Sequence, residues 1–209
     1  MQKLLPAGWQ PNPPASGANQ GANLMLTFID ELLSQDPEGK AKSTTVRRLA
    51  IGVPAKHAST GAAGNNVVRI LTTNPGSIPG PYKTAVPASL RLEQSIKATD
   101  MEAATVTERW EVRDRNDGTV TLALEYTRGV PARNKAESKV YGGPDAAFFR
   151  IYRVDTGGDV VRSVQTGVDR VKKLSLRVAT AELKKAFDGS EQIVSITALP
   201  WYHREVSLP

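Results

Sequence analysis

In the stretch RVKKLSLRV, Arg170–Val178, a lysine stands where an amphipathic strand would carry an apolar residue. If the segment is extended, Lys172, Leu174, Leu176 and Val178 share one face and Lys173, Ser175 and Arg177 share the other. An amine drawn into an apolar row is the starting point for Schiff-base chemistry, because desolvation or a second cation nearby favours the neutral, nucleophilic form. The competing reading is a strand end at a sheet rim, with the stem on apolar surface and the charged head in water.

Two further groups fit the same chemistry. Glu108 interrupts the row Ala104, Val106, Glu108, Trp110, Val112 beside a tryptophan. A carboxylate so placed can move a proton, or it can pair with a cation such as Arg109 or Arg150 across a sheet. In FFRIYRV, Phe148–Val154, Arg150 stands among aromatics. A guanidinium there can clamp a carboxylate in a fork or rest on a ring as a cation–π contact. Taken together, the expected catalytic pair is Lys172 and Glu108, with Arg150, Trp110 and Tyr82 as substrate-binding residues. Lys172 would condense with a ketone, and Arg150 would hold a carboxylate. The alternative is a non-catalytic binding or assembly module acting through the N-terminal arm and the C-terminal aromatic segment PWYHREV, Pro200–Val206.

The elements that must position these residues read mostly as strands. EAATVTERWEVRDR and GTVTLALEYTR form the clearest hairpin, and the RNDG between them supplies residues that tolerate the positive φ of a tight turn. TVRRLAIGVPA and NVVRILTT read as strands around a loop, KHASTGAAGNN, followed by a rigid turn, NPGSIPGPYK. AAFFRIYRV, DVVRSV, RVKKLSLRVA and EQIVSITAL continue the pattern, and PWYHREV reads as an edge strand or docking segment. ANLMLTFIDELL is open between helix and strand, because periodicity alone does not decide it. TAELKKAF, with Thr180 as N-cap and Gly189 as stop, predicts a helix. GVPARNKAESKVYGGPD, Gly129–Asp145, reads as a long polar connection. The pattern predicts a mainly β (α+β) single domain, residues 22–209, with a strongly curved or closed antiparallel barrel-like sheet and one or two short helices. Residues 1–21, rich in Pro and Gly, form an arm with Trp9 as its anchor.

One segment carries a family resemblance. PGPYK, Pro79–Lys83, resembles the G-P-Y-K/R segment of the acetoacetate decarboxylases, β-rich enzymes that act through a Schiff-base lysine. The resemblance covers only these residues and implies a barrel-like fold around a small-molecule cavity. It assigns no catalytic residue: the family's paired lysines follow a proline, whereas PARNK has the proline without a pair and the KK at Lys172 has no proline.

The remaining composition excludes much. With no cysteine, disulfides, thiolate nucleophiles, zinc fingers and iron–sulfur clusters are ruled out. There is no G-x-G-x-x-G, P-loop or G-x-S-x-G, and only two histidines, so no cofactor and no metal is expected. No apolar run approaches the ~18 residues of a membrane-spanning helix. MQKLLPAGWQPNPP breaks at Pro6 before a signal-peptide core can form, so the expected compartment is the cytoplasm. Net charge is +6, yet the cations sit in short pairs interleaved with acids, as in EVRDRND. That dispersion argues for a solvated surface and against a nucleic-acid footprint. The expected partners are a small-molecule ligand and a second copy in a homo-oligomer, with no membrane.

Overall fold

Alternation with a period of two produces the hairpin of β6 (Glu102–Asp114) and β7 (Thr119–Thr127) where the sequence places it. Val106, Trp110 and Val112 on β6 and Val120, Leu124 and Tyr126 on β7 are buried on one face. Asp114 ties the turn by accepting the backbone N–H of Asn116 and of Gly118, both at 2.8 Å. The computed structural model describes residues 1–42, 45–78, 85–116, 118–180, 183 and 186–209. It is 61% strand, and the strands curl into a nearly closed barrel of eight.

The barrel runs through β9 (Phe149–Ser163), β8 (Ala132–Tyr141), β4 (Ala63–Thr72), β5 (Ala85–Thr99), β6, β7 and β11 (Val171–Ala179). It returns to β9 through the two-residue β10 (Val168–Asp169). Pairing is antiparallel except where β4 meets β5 and β8, over two or three residues each, in parallel. On its other side β4 pairs with β3 (Val46–His57), which carries β2 (Met25–Glu31) and β1 (Trp9–Pro11) along its far edge. β12 (Ser195–Ser207) lies along β9. ANLMLTFIDELL thus resolves as a strand, because Phe28 of β2 packs on Trp110 of β6 with ring centroids 5.5 Å apart.

Two readings from the sequence need correction. Residues 129–145 are not a plain connection, since they contain β8. Its residues from Ala132 to Lys139 are exposed on both faces, so no hydrophobic alternation marks them and pairing with β9 alone makes the strand. β5, fifteen residues long, carries a similarly polar outer half and likewise lacks the alternation of a half-buried strand. The expected helix over 180–187 is not formed by its described residues: Leu183 and Ala186 lie in turns, and Leu183 drops into the core. Among the described residues the helical segments are two three-residue 3₁₀ turns, Gln2–Leu4 and Pro75–Ser77.

The main core lies between the two walls of the barrel. Leu49 and Ile51 of β3 and Leu71 of β4 face Leu90, Val112 and Val120 of β5, β6 and β7. Each such side chain contributes about 1.5–3 kcal/mol by leaving water. Trp9 plugs a second cluster with Ala55 and Tyr141, so the N-terminal strand is part of the packed body.

The ring closes at one residue. Between β10 and β11, the Arg170 N–H donates to the Val161 carbonyl at 2.9 Å, and its own carbonyl accepts the Thr127 N–H at 3.0 Å. Its guanidinium then turns back to pair with the carboxylate of Asp159, which is 2% exposed. The Gly129 N–H donates to the same carboxylate at 2.7 Å. A Cβ at Gly129 would collide with the Arg170 guanidinium and push it away from Asp159. Burial pushes the Asp159 carboxyl upward, but the Arg170 and Gly129 hydrogen bonds, with the Arg170 and Arg128 charges, hold it below the ordinary carboxylate value.

Candidate functional site

The residues expected to form an imine site do not converge. Lys172 sits on a bulge: Val171 pairs with Tyr126 and Lys173 with Glu125, leaving Lys172 as the extra residue. A bulge shifts the alternation by one. Val171 and Leu174 therefore both face the core, while Lys172 and Lys173 both face water. The lysine that seemed to open an apolar row points outward and donates to the Thr105 hydroxyl at 2.9 Å. Glu108 lies on the opposite, inward face of the same sheet, across from Leu124, and accepts a hydrogen bond from Gln94 at 3.0 Å. Trp110 is buried against Phe28 as a core residue. Arg150 is buried on β9, donates to the Phe149 carbonyl at 3.0 Å and lies over the Phe148 ring at 4.8 Å. Tyr82 and the whole PGPYK segment lie outside the described residues.

Lys172 is exposed, and its amine is engaged by a hydroxyl and not enclosed in a cavity. Treatment with acetoacetate and borohydride should accordingly label Lys172 no more than Lys97 or Lys173. Selective labelling that disappears in Lys172→Ala, read by peptide mass, would return the imine chemistry to this strand.

Two open concavities lie among the described residues. One of about 260 Å³ is lined by Arg162, Ser163, Val164 and Asp169 near the β9–β10 turn. Another of about 250 Å³ lies on the outer side of β6, β7 and β11, between Arg109 and Arg177. Among the described residues no group of three potential ligand side chains could hold a metal ion, and no helix is long and apolar enough to cross a membrane.

What the fold does build is a three-stranded wing, β8–β9–β12, with β9 in the middle. One face is a ladder of cross-strand rows. Arg133, Gly157 and Trp201 form the first; with no side chain at Gly157, the Arg133 guanidinium reaches over the indole, 5.3 Å from its centroid. In the next row Asp155 accepts both Nε and NH2 of Arg133, at 3.0 and 2.8 Å, and lies 3.5 Å from Lys135. The Arg133 hydrogen bond holds the Asp155 carboxyl below its ordinary value. Glu137 and Arg153 pair at 2.8 Å in the row after that. On the other face Arg204 of β12 reaches Glu31 at 3.2 Å, and Glu31 also binds the buried Arg48 at 2.8 Å. This contact pins β12 to the body through β2 and β3.

The outer edge of β12 has no strand partner among the described residues. Leu199, Trp201 and Tyr202 are 44%, 45% and 39% exposed there. The reading of PWYHREV as an edge strand agrees with this placement. Sequence reasoning missed the Asp159–Arg170 closure, whose only signal is an acid inside the apolar run of GGDVV. Searches against protein-family models, curated proteins and solved structures found no match to the chain.

Proposed function

We propose that the chain is a β-rich assembly module that pairs with a second copy of itself along the outer edge of β12. The observation that carries this reading is the stretch Trp201–Ser207. Upstream, two register shifts and Pro200 break the edge, which is how proteins blunt a strand against unwanted pairing. From Trp201 to Ser207 the register with β9 is regular and contains no proline. Seven residues of regularly paired edge, the first two of them exposed aromatics, form a surface suited to being covered.

A second copy is the occupant that needs no other sequence, because an antiparallel edge is its own complement about a two-fold axis. Charge selects β12 for this role over β8, the other open edge of the wing. On the exposed part of β8, Arg133 and Lys135 share one carboxylate, Asp155, Glu137 is taken by Arg153, and Lys139 faces the Phe149 ring, so a net positive charge remains that would repel its own copy. In β12, Arg204 is already paired inward with Glu31, leaving Glu205 and His203 at the edge and little net charge to oppose association.

Sedimentation velocity across a concentration series tests the reading. Wild type is expected to shift from monomer to dimer. Trp201→Glu, at an exposed position that leaves the core intact, is expected to weaken the dimer about tenfold or more. Met101→Glu, 95% exposed at the tip of the β5–β6 hairpin, serves as the control and should change nothing. A monomer at every concentration, or equal loss in both variants, would overturn the assignment.

A further inference from the structure

The outer face of the sheet β5–β6–β7–β11 gathers what the sequence scatters. The register sets the outward residues side by side: Arg91, Glu111, Thr121 and Arg177 form one row, and Glu93, Arg109, Ala123 and Ser175 the next. Across this face β5 presents Arg91 and Lys97, β6 presents Arg109 and Arg113, and β11 presents Lys172, Lys173 and Arg177. Glu93, Glu111 and Glu125 are the opposing acids. Each is held by one cation: Glu93 by Arg91 at 2.5 Å, Glu111 by Arg109 at 2.9 Å and Glu125 by Lys173 at 3.2 Å. That leaves Lys97, Arg113, Lys172 and Arg177 with no carboxylate partner among the described residues. Between them lie hydroxyls, including Thr105, Thr107, Thr119, Thr121 and Ser175, and the shallow trough between Arg109 and Arg177.

We infer that this face binds the phosphate backbone of a double-stranded nucleic acid without reading its sequence. Guanidinium and ammonium groups among serine and threonine hydroxyls are the donors that phosphate oxygens accept. The residues of this face include no aromatic and no large aliphatic side chain. Single-stranded binding draws on base stacking against aromatics, which this face lacks. A membrane surface draws on apolar side chains that enter the acyl boundary, and these too are missing. β12 pairs with β9 and contributes none of these outward residues, so binding here does not depend on self-association.

Fluorescence anisotropy of the full chain with a labelled mixed-sequence DNA duplex tests the inference. With about four phosphates neutralised, affinity is expected to fall roughly 100-fold between 50 and 200 mM salt. Arg113→Ala and Arg177→Ala, both at exposed positions, should each weaken binding and make the salt slope shallower by about one unit. Arg153→Ala, on the wing, should leave both unchanged. Three results would overturn the inference: no binding at 50 mM salt, equal losses from the wing variant, or binding to phosphatidylserine vesicles in preference to the duplex.

Discussion

Replacing Arg170 with alanine is expected to lower the stability of the fold by about 3 kcal/mol, because removing one partner of a buried ion pair strands the other charge. The stranded group is Asp159, which would keep the Gly129 N–H but lose its guanidinium. For a chain of this size the melting temperature should fall by about 6–12 °C. The same pair sets an acid limit. Asp159 has its folded carboxyl below the unfolded value of about 3.9. Its stabilisation is therefore complete above that value and is lost as pH falls through the lower folded value. Arg170→Ala lacks this contribution, and burial then favours the protonated carboxyl, so the stability gap from wild type should narrow as pH falls below about 4, as followed by urea unfolding at a series of pH values. A gap that stayed constant with pH would mean that the closure pair does not govern the acid response.

Trp9→Ala is expected to be at least as damaging, at about 3–5 kcal/mol, since it empties the centre of a packed cluster. Trp9 is 1% exposed, with its ring centroid 4.7 Å from that of Tyr141 and 5.2 Å from that of His57. Its indole nitrogen has no hydrogen-bond partner among the described residues, so Trp9→Phe mainly removes ring volume and should cost less than the alanine. Urea unfolding of the two variants measures this directly. If Trp9→Ala stayed within about 1 kcal/mol of wild type, the N-terminal strand would be a loose attachment and not a wall of the core.

These effects trace how far the sequence could be read. Where one face of a strand is buried and the other wet, as in β6 and β7, alternation identified both the strand and its inward residues. Where both faces are wet, as in β8 and the outer half of β5, the residues carry no such signal, and only pairing with a distant strand makes them extended. The bulge at Lys172 is a register event between two strands. No local pattern announces it, and it reverses the face on which the lysine emerges. The same holds for charge. Arg91, Arg113 and Arg177 are far apart in the chain, and only the register of β5, β6, β7 and β11 sets them on one face. By contrast, PWYHREV could be read as an edge, because its proline and clustered aromatics are features of the segment itself.

Hydrogen exchange resolved along β12 tests the proposed self-pairing most directly. Alternate amides from Trp201 to Ser207 bond to β9, and the others face the open edge. At low protein concentration the outward amides should exchange at nearly free-peptide rates. As concentration rises they should become protected, in step with the dimer seen by sedimentation, while the exposed edge of β8 stays unprotected. Outward amides of β12 that remain fast while the protein dimerises would contradict pairing through this strand.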